Sequence, residues 1–269
     1  MDELETIQGA SFTSSLIFHI PHAREDIPEW VREQFLLFDE ELEKELLTMT
    51  DRYTDDLFTT KDHPYIASPV SRLVLDVERF TDDEKEPMAN KGMGAIYTST
   101  HDGKKLRREL APHETKELLR KYHQRNEESV TSSIKYALLA NDVALVVDCH
   151  SFPSSPLPFE EGQSLPRVDI CIGTDAFHTP SGLEQLVTSY FEKLGYSVRL
   201  NKPYEGTYVP ILYYNRNKKV QSIMIELNRS LYMDEATGEK RATFDELHQQ
   251  IIGLVEQMRR YLIEARTGI

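Results

Sequence analysis

The sequence predicts an α/β protein with three layers: a mostly parallel or mixed sheet with helices on both faces. Three observations predict it. Short apolar runs rich in β-branched residues, Ser15–Ile20, Ala144–Val147 and Val220–Ile225, have strand length and read as strands buried on both faces. Segments with helical spacing of apolar residues alternate with them, as they do where helices cover a largely parallel sheet. Each run then empties into polar residues, where open α/β sheets place their ligand crevice.

In chain order, Trp30, Val31, Phe35, Leu42 and Leu46 recur near helical spacing and predict one amphipathic helix over 29–48. Tyr65–Ala67 and Leu73–Val77 read as short strands. From Thr81 to Arg108 the chain turns polar and carries Gly92, Gly94 and Gly103, which predicts an inserted excursion or active-site loop. Leu118, Leu119, Tyr122, Ile134 and Leu138 predict a long helix from about 113 to 140. A strand over 142–148, a Pro/Ser-rich loop over 152–167, and a strand over 168–173 follow. A helix over 181–194, a strand over 196–200 and a closing helix over 244–264 complete the pattern. No repeat or linker composition divides the chain. The expectation is a single catalytic domain over 1–269 with the excursion around 81–108 inserted in it.

Composition narrows the function. The 269 residues are 39% hydrophobic, enough for one sizeable core. No uncharged apolar run has the length of a membrane span, and the acidic start Met1-Asp2-Glu3 is unlike a secretory signal. The two cysteines, Cys149 and Cys171, fall in predicted buried strands, which argues against a disulfide framework and for a reducing, cytoplasmic setting. A net charge of −14 argues against nucleic acid as a partner and leaves room for a small anionic substrate, since a few arginines can form a local positive pocket.

The chemistry-bearing residues follow the three strand-like runs. The first leads to His22, the second to Asp148-Cys149-His150-Ser151 and the third to Glu226-Leu227-Asn228-Arg229. Two imidazoles, a carboxylate ligand and a separate Glu as general base are the makeup of a mononuclear zinc hydrolase. The carboxylate is open between two places. Glu25 lies three residues after His22, and Asp55 lies in the acidic cluster Asp51-Arg52-Tyr53-Thr54-Asp55-Asp56. Arg72, Arg79 and Arg229 are the arginines placed to bind substrate carboxylates, a task that suits the guanidinium fork. Asn228 offers an amide beside them. Ser151, next to His150, and Tyr208, at the end of a glycine-containing turn, complete the substrate-binding candidates.

These blocks together resemble the N-formylglutamate amidohydrolase family. The matching stretches are Ile20-Pro21-His22-Ala23, Thr54-Asp55-Asp56-Leu57, Ser71-Arg72-Leu73-Val74 with Asp76 and Arg79, and Asp148 to Ser154. Asp169 to Gly173, Asn201 to Tyr208 and Glu226 to Glu235 continue the series, so the resemblance spans roughly residues 17–235. It implies a zinc-exopeptidase-like fold, and hydrolysis of the N-formyl amide of an acidic amino acid at the end of a histidine degradation route. It implies Zn²⁺ held by His22, Asp55 and His150, with Glu226 as the catalytic base, and prefers Asp55 to Glu25. Arg24 stands where the family usually has Gly, and Met224 where it often has Gln. Those departures leave two other readings: a zinc carboxypeptidase or deacylase acting on another N-acyl amino acid or peptide fragment, and a homologue that binds an acidic ligand without turnover.

Overall fold

The structure, a computed structural model, describes residues 7–8, 14–59, 63, 65–160 and 166–267. Its strands are β1 (Ile7–Gln8), β2 (Leu16–Ile20), β3 (Tyr65–Ala67), β4 (Ala144–Phe152), β5 (Ile170–Gly173), β6 (Val198–Leu200) and β7 (Val220–Asn228). They form one mixed sheet in the order β1-β3-β2-β4-β7-β5-β6. β3, β2, β4 and β7 run parallel, while β5 pairs antiparallel with β7 and β1 antiparallel with β3. The α/β class read from the sequence is the class observed.

The alternation of side chains along each strand sorts the core into two layers. On β2 and β4, Leu16, Phe18, Ile20, Leu145, Val147 and Cys149 join one cluster. Helices α3 (Thr54–Phe58), α6 (Ser181–Lys193) and α7 (Phe244–Thr267) cover that cluster. Leu183, Val187 and Phe191 of α6, each four residues apart, present the inward stripe. Ile17, Ala144, Val146 and Val220 point the other way, onto Val130, Ile134 and Ala137 of α5 (Gln124–Asn141). Each fully buried aliphatic side chain here contributes about 1.5–3 kcal/mol relative to exposure.

A third cluster lies beyond the sheet. It joins Val31, Phe35, Leu42 and Met49 to Val70, Leu73–Leu75, Met93, Tyr97 and Leu106. The excursion over 81–108 is therefore packed, not loose, and carries a short 3₁₀ turn over Pro87–Lys91.

Several sequence expectations give way to tertiary contacts. The helix expected over 29–48 is two helices, α1 (Glu29–Arg32) and α2 (Asp39–Met49). The chain between them leaves the helix to pair with the excursion: Leu36 N–H donates to the Leu106 carbonyl and Arg108 N–H to that of Gln34. The strand expected over Leu73–Val77 is a series of turns. It is buried, so its carbonyls need donors, and the guanidinium of Arg107 donates to those of Leu73 and Val74 in place of a neighbouring strand. The long helix begins as α4 (Pro112–Leu118), passes through a π-helical turn over Leu119–His123, and continues as α5. β4 and β7 run further than expected, so His150 and Glu226 sit inside their strands rather than after them.

Candidate metal centre

The face of the sheet that meets α5 changes character along its strands. Ile17, Val146 and Val220 are apolar, and the next residues on the same face are His19, Asp148, His150, Ser222 and Glu226. Register aligns His19 with Asp148 and His150 with Glu226, so these side chains leave neighbouring strands side by side. His22 follows β2 by two residues, and Asp51 follows α2 by two. Asp51 N–H donates to the His22 carbonyl at 2.9 Å, which ties the two segments together.

Three potential ligands converge. His22 Nδ1 lies 3.3 Å from His150 Nδ1, and an Asp51 oxygen lies 3.7 Å from the first and 3.2 Å from the second. The opposite nitrogen of each ring faces a carboxylate: His22 Nε2 meets Asp76 at 2.9 Å and His150 Nε2 meets Asp148 at 3.1 Å. An ionised carboxylate can only accept, so each Nε2 carries the hydrogen and each Nδ1 of a neutral ring is a lone pair. Two lone pairs and a carboxylate oxygen then face one another, an arrangement that calls for a cation. Imidazoles braced from behind by carboxylates are the usual surroundings of a bound divalent ion.

Charge in the site points the same way. Burial opposes a charged His150, yet Glu78, Asp148 and Asp51 raise it well above its ordinary value, so the pocket demands positive charge. Burial also opposes an ionised Asp51, but the two imidazoles beside it and the charge of Arg229 hold its carboxyl far below the usual range. Arg229 donates to the second Asp51 oxygen at 2.8 Å. Glu226 behaves differently. Burial, reinforced by the charge of Asp51, pushes its carboxyl up to about 8, and Oε2 is buried without a hydrogen-bond partner among the described residues. A carboxyl so placed can take up and release a proton near neutrality.

The carboxylate the structure brings to the two imidazoles is Asp51, and Asp55, the one expected from the sequence, is not brought to them. Asp55 lies in the first turn of α3 and pairs with Arg24 at 3.2 Å, outside every group of possible metal ligands among the described residues. Glu25 is also elsewhere, with Arg52. The choice rests on the turn between α2 and α3, where Tyr53 adopts a left-handed φ of 67° and the chain reverses direction. Nothing local in a run of three acids marks which one faces inward.

The substrate-binding candidates divide. Ser151 is at the centre: its N–H points to Asp51 at 3.3 Å, and its Oγ accepts from Arg229 at 3.2 Å. Arg229 itself is spent on Asp51, Ser151 and the Thr48 carbonyl, so it braces the carboxylate. Arg72 and Arg79 flank Asp76, at 2.8 Å and 3.7 Å, and Arg79 is the more open, with its side chain 31% exposed. Asn228 does not face the cluster with a free amide, because Nδ2 donates to the Val168 carbonyl and Oδ1 accepts from Ser230. Tyr208 turns its hydroxyl to Glu127 and stacks its ring on His19. Besides Asp51, the sequence reading missed Glu78, which lies 3.3 Å from His150 Nε2, and His19. The signal available for Glu78 was its alternation with Asp76 between two arginines.

The comparisons agree with this architecture. The family model described as N-formylglutamate amidohydrolase matches residues 14–233. The chain is 30% identical over 180 residues to an N-formylglutamate deformylase of Pseudomonas putida, covering 63% of this chain and 64% of that protein. The match thus spans just under two thirds of that relative's length. Among solved structures, an N-formylglutamate amidohydrolase from Ralstonia eutropha JMP134 superposes with a TM-score of 0.83 at 20% identity, over 99% of this chain and 100% of that one. A gene product from Agrobacterium tumefaciens gives 0.67 at 18% identity, over 95% and 97%. At those identities the structural likeness speaks for the fold.

Proposed function

The chain belongs to the N-formylglutamate amidohydrolase family, and from that premise we propose that it is a metal-dependent amidohydrolase cleaving the N-acyl amide of an acidic amino acid such as N-formylglutamate. The observation that carries the reading is the convergence of His22 Nδ1, His150 Nδ1 and Asp51 beside Glu226, whose Oε2 is buried without a hydrogen-bond partner among the described residues. His22, Asp51 and His150 would hold the ion, and Zn²⁺ suits two imidazoles and a carboxylate. A divalent ion there supplies Lewis acidity toward water and the acyl oxygen.

The protein's own groups do the rest. Glu226 accepts a proton from the attacking water and passes it to the leaving amine nitrogen, so the amide and one water become a carboxylic acid and an amine. Its raised proton affinity suits both halves of that exchange. Asp76 and Asp148 keep the imidazoles in one tautomer and one orientation. Arg79, with Arg72 behind it, is the cationic pair best placed to receive a substrate carboxylate, and Ser151 borders the same space.

The test is metal analysis of the purified protein, followed by turnover of a panel of N-acyl amino acids and short peptides with and without chelator. Chelator-sensitive release of formate from N-formylglutamate supports the reading. Turnover confined to peptides would move the activity to a carboxypeptidase, and binding without turnover would mark a non-catalytic relative.

A further inference from the structure

We propose that His19 is a positioning residue for this centre, holding Asp148 and through it setting the aim of the His150 imidazole. The inference rests on the reading of His22, Asp51 and His150 as metal ligands. It adds a residue that touches none of them.

His19 is fully buried in the middle of the sheet, where an aliphatic side chain like that of Ile17 would ordinarily fill the space. Burying an imidazole is costly unless its nitrogens are satisfied, and here each one is engaged. Nδ1 lies 3.1 Å from Asp148 and 3.3 Å from Glu78, and Nε2 lies 3.2 Å from Asn126 of α5. Both groups facing Nδ1 are carboxylates, so Nδ1 donates. The Asp148 oxygen that receives it is the one that meets His150 Nε2, at 3.1 Å on each side. The other Asp148 oxygen accepts from Tyr208 N–H at 2.9 Å, and the Tyr208 ring stacks on His19 with centroids 4.3 Å apart. Asp148 is thereby fixed by His19 on one oxygen and Tyr208 on the other. Glu78 lies beside the same imidazole without a hydrogen bond to it, its Oε1 3.3 Å from His19 Nδ1 and its Oε2 3.3 Å from His150. Both carboxylates behind His150 therefore face one imidazole nitrogen, whose hydrogen goes to Asp148, and Asn126 ties that imidazole to α5.

Partners of this kind are worth about 10–100-fold in metal affinity when lost. The experiment compares His19→Asn with His19→Gln, two neutral amides of similar polarity. The Asn side chain places its N–H near the Nδ1 position, and that of Gln places it near the Nε2 position. Zn²⁺ affinity of the metal-free proteins is measured by competition with a chromophoric chelator, and the visible spectrum of the Co²⁺-loaded proteins reports ligand geometry. The expected result is that Gln weakens Zn²⁺ by about 10–100-fold and alters the Co²⁺ spectrum, while Asn stays close to the wild type in both. Equal affinities for all three proteins overturn the inference. Equal losses in Asn and Gln overturn it too, since they indicate a space-filling role. Should the Gln variant fail to fold, Asn126→Leu frees the same imidazole from the far side, and unchanged Zn²⁺ affinity there is decisive against the idea. A wild-type protein that takes up no Zn²⁺ would instead defeat the reading of the centre itself.

Discussion

The two halves of the face that β4 and β7 turn toward α5 are equally buried and chemically opposite. Ala144, Val146 and Val220 pack against Val130, Ile134 and Ala137, and their burial is favourable in itself. Asp148, His150 and Glu226, a few residues on, are buried to the same degree, and their burial is favourable only where each polar atom finds a partner. The first half can be repacked by any side chains of similar volume. The second half depends on particular partners: Asp148 alone answers to His19, His150 and the Tyr208 amide, while Glu226 Oε2 has none among the described residues. A burial pattern read along a strand therefore does not separate structure from chemistry. What separates them is whether a buried atom's partners are interchangeable.

Removing a ligand should separate the two halves most strongly. His22→Ala, His150→Ala and Asp51→Ala are each expected to lose bound metal and activity together, while Asp55→Ala and Glu25→Ala keep both. Metal content after exhaustive dialysis decides it, and full occupancy in Asp51→Ala would return the role to another acid. Next comes Glu226→Gln, which keeps the shape and removes the proton acceptor. A fall in kcat of about 10²–10⁴-fold with metal retained is expected, and near-normal kcat in the folded, metal-loaded variant would end the assignment. On the other side of β4, Leu145→Ala removes a fully buried side chain and is expected to cost about 2–5 kcal/mol in urea unfolding, with metal affinity untouched. A change in affinity there would show that the apolar layer is coupled to the site.

The smallest effect concerns pH. His101, in the excursion, is raised by its hydrogen bond to the buried Glu45. Its stabilisation is fully present below the unfolded value near 6.5 and is lost as pH rises through the higher folded value. Glu45→Gln should flatten that part of the stability profile. Chemical denaturation across the neutral range measures it, and an unchanged profile would dismiss the pair as a contributor.

Much of this was legible in the residues. Runs of β-branched side chains marked β2, β4 and β7, and the polar residues at their ends marked His22, His150 and Glu226. Asp51 was not legible, because a reversal at Tyr53 and a backbone bond to His22 select it from among neighbouring acids. His19 was hidden for another reason: in sequence it is one polar residue in an apolar strand, and its partners Asn126 and Asp148 lie more than a hundred positions away. The segment 73–77 misled because apolar, β-branched residues imply a ladder, and the donors came from a side chain instead.

That side chain, Arg107, has a consequence for anyone wishing to shorten the chain. It is 1% exposed, with no carboxylate beside it among the described residues, and burial pushes its guanidinium down to about 9. It sits in the excursion, yet it clamps the turn that leads to Asp76, and Asp76 N–H is itself held by the Ala95 carbonyl. The excursion looks like dispensable ornament on a minimal α/β scaffold. It is closer to a splint: a version trimmed of residues 81–108 should still form the sheet but set His22 adrift, and Zn²⁺ titration of such a miniature would tell splint from ornament.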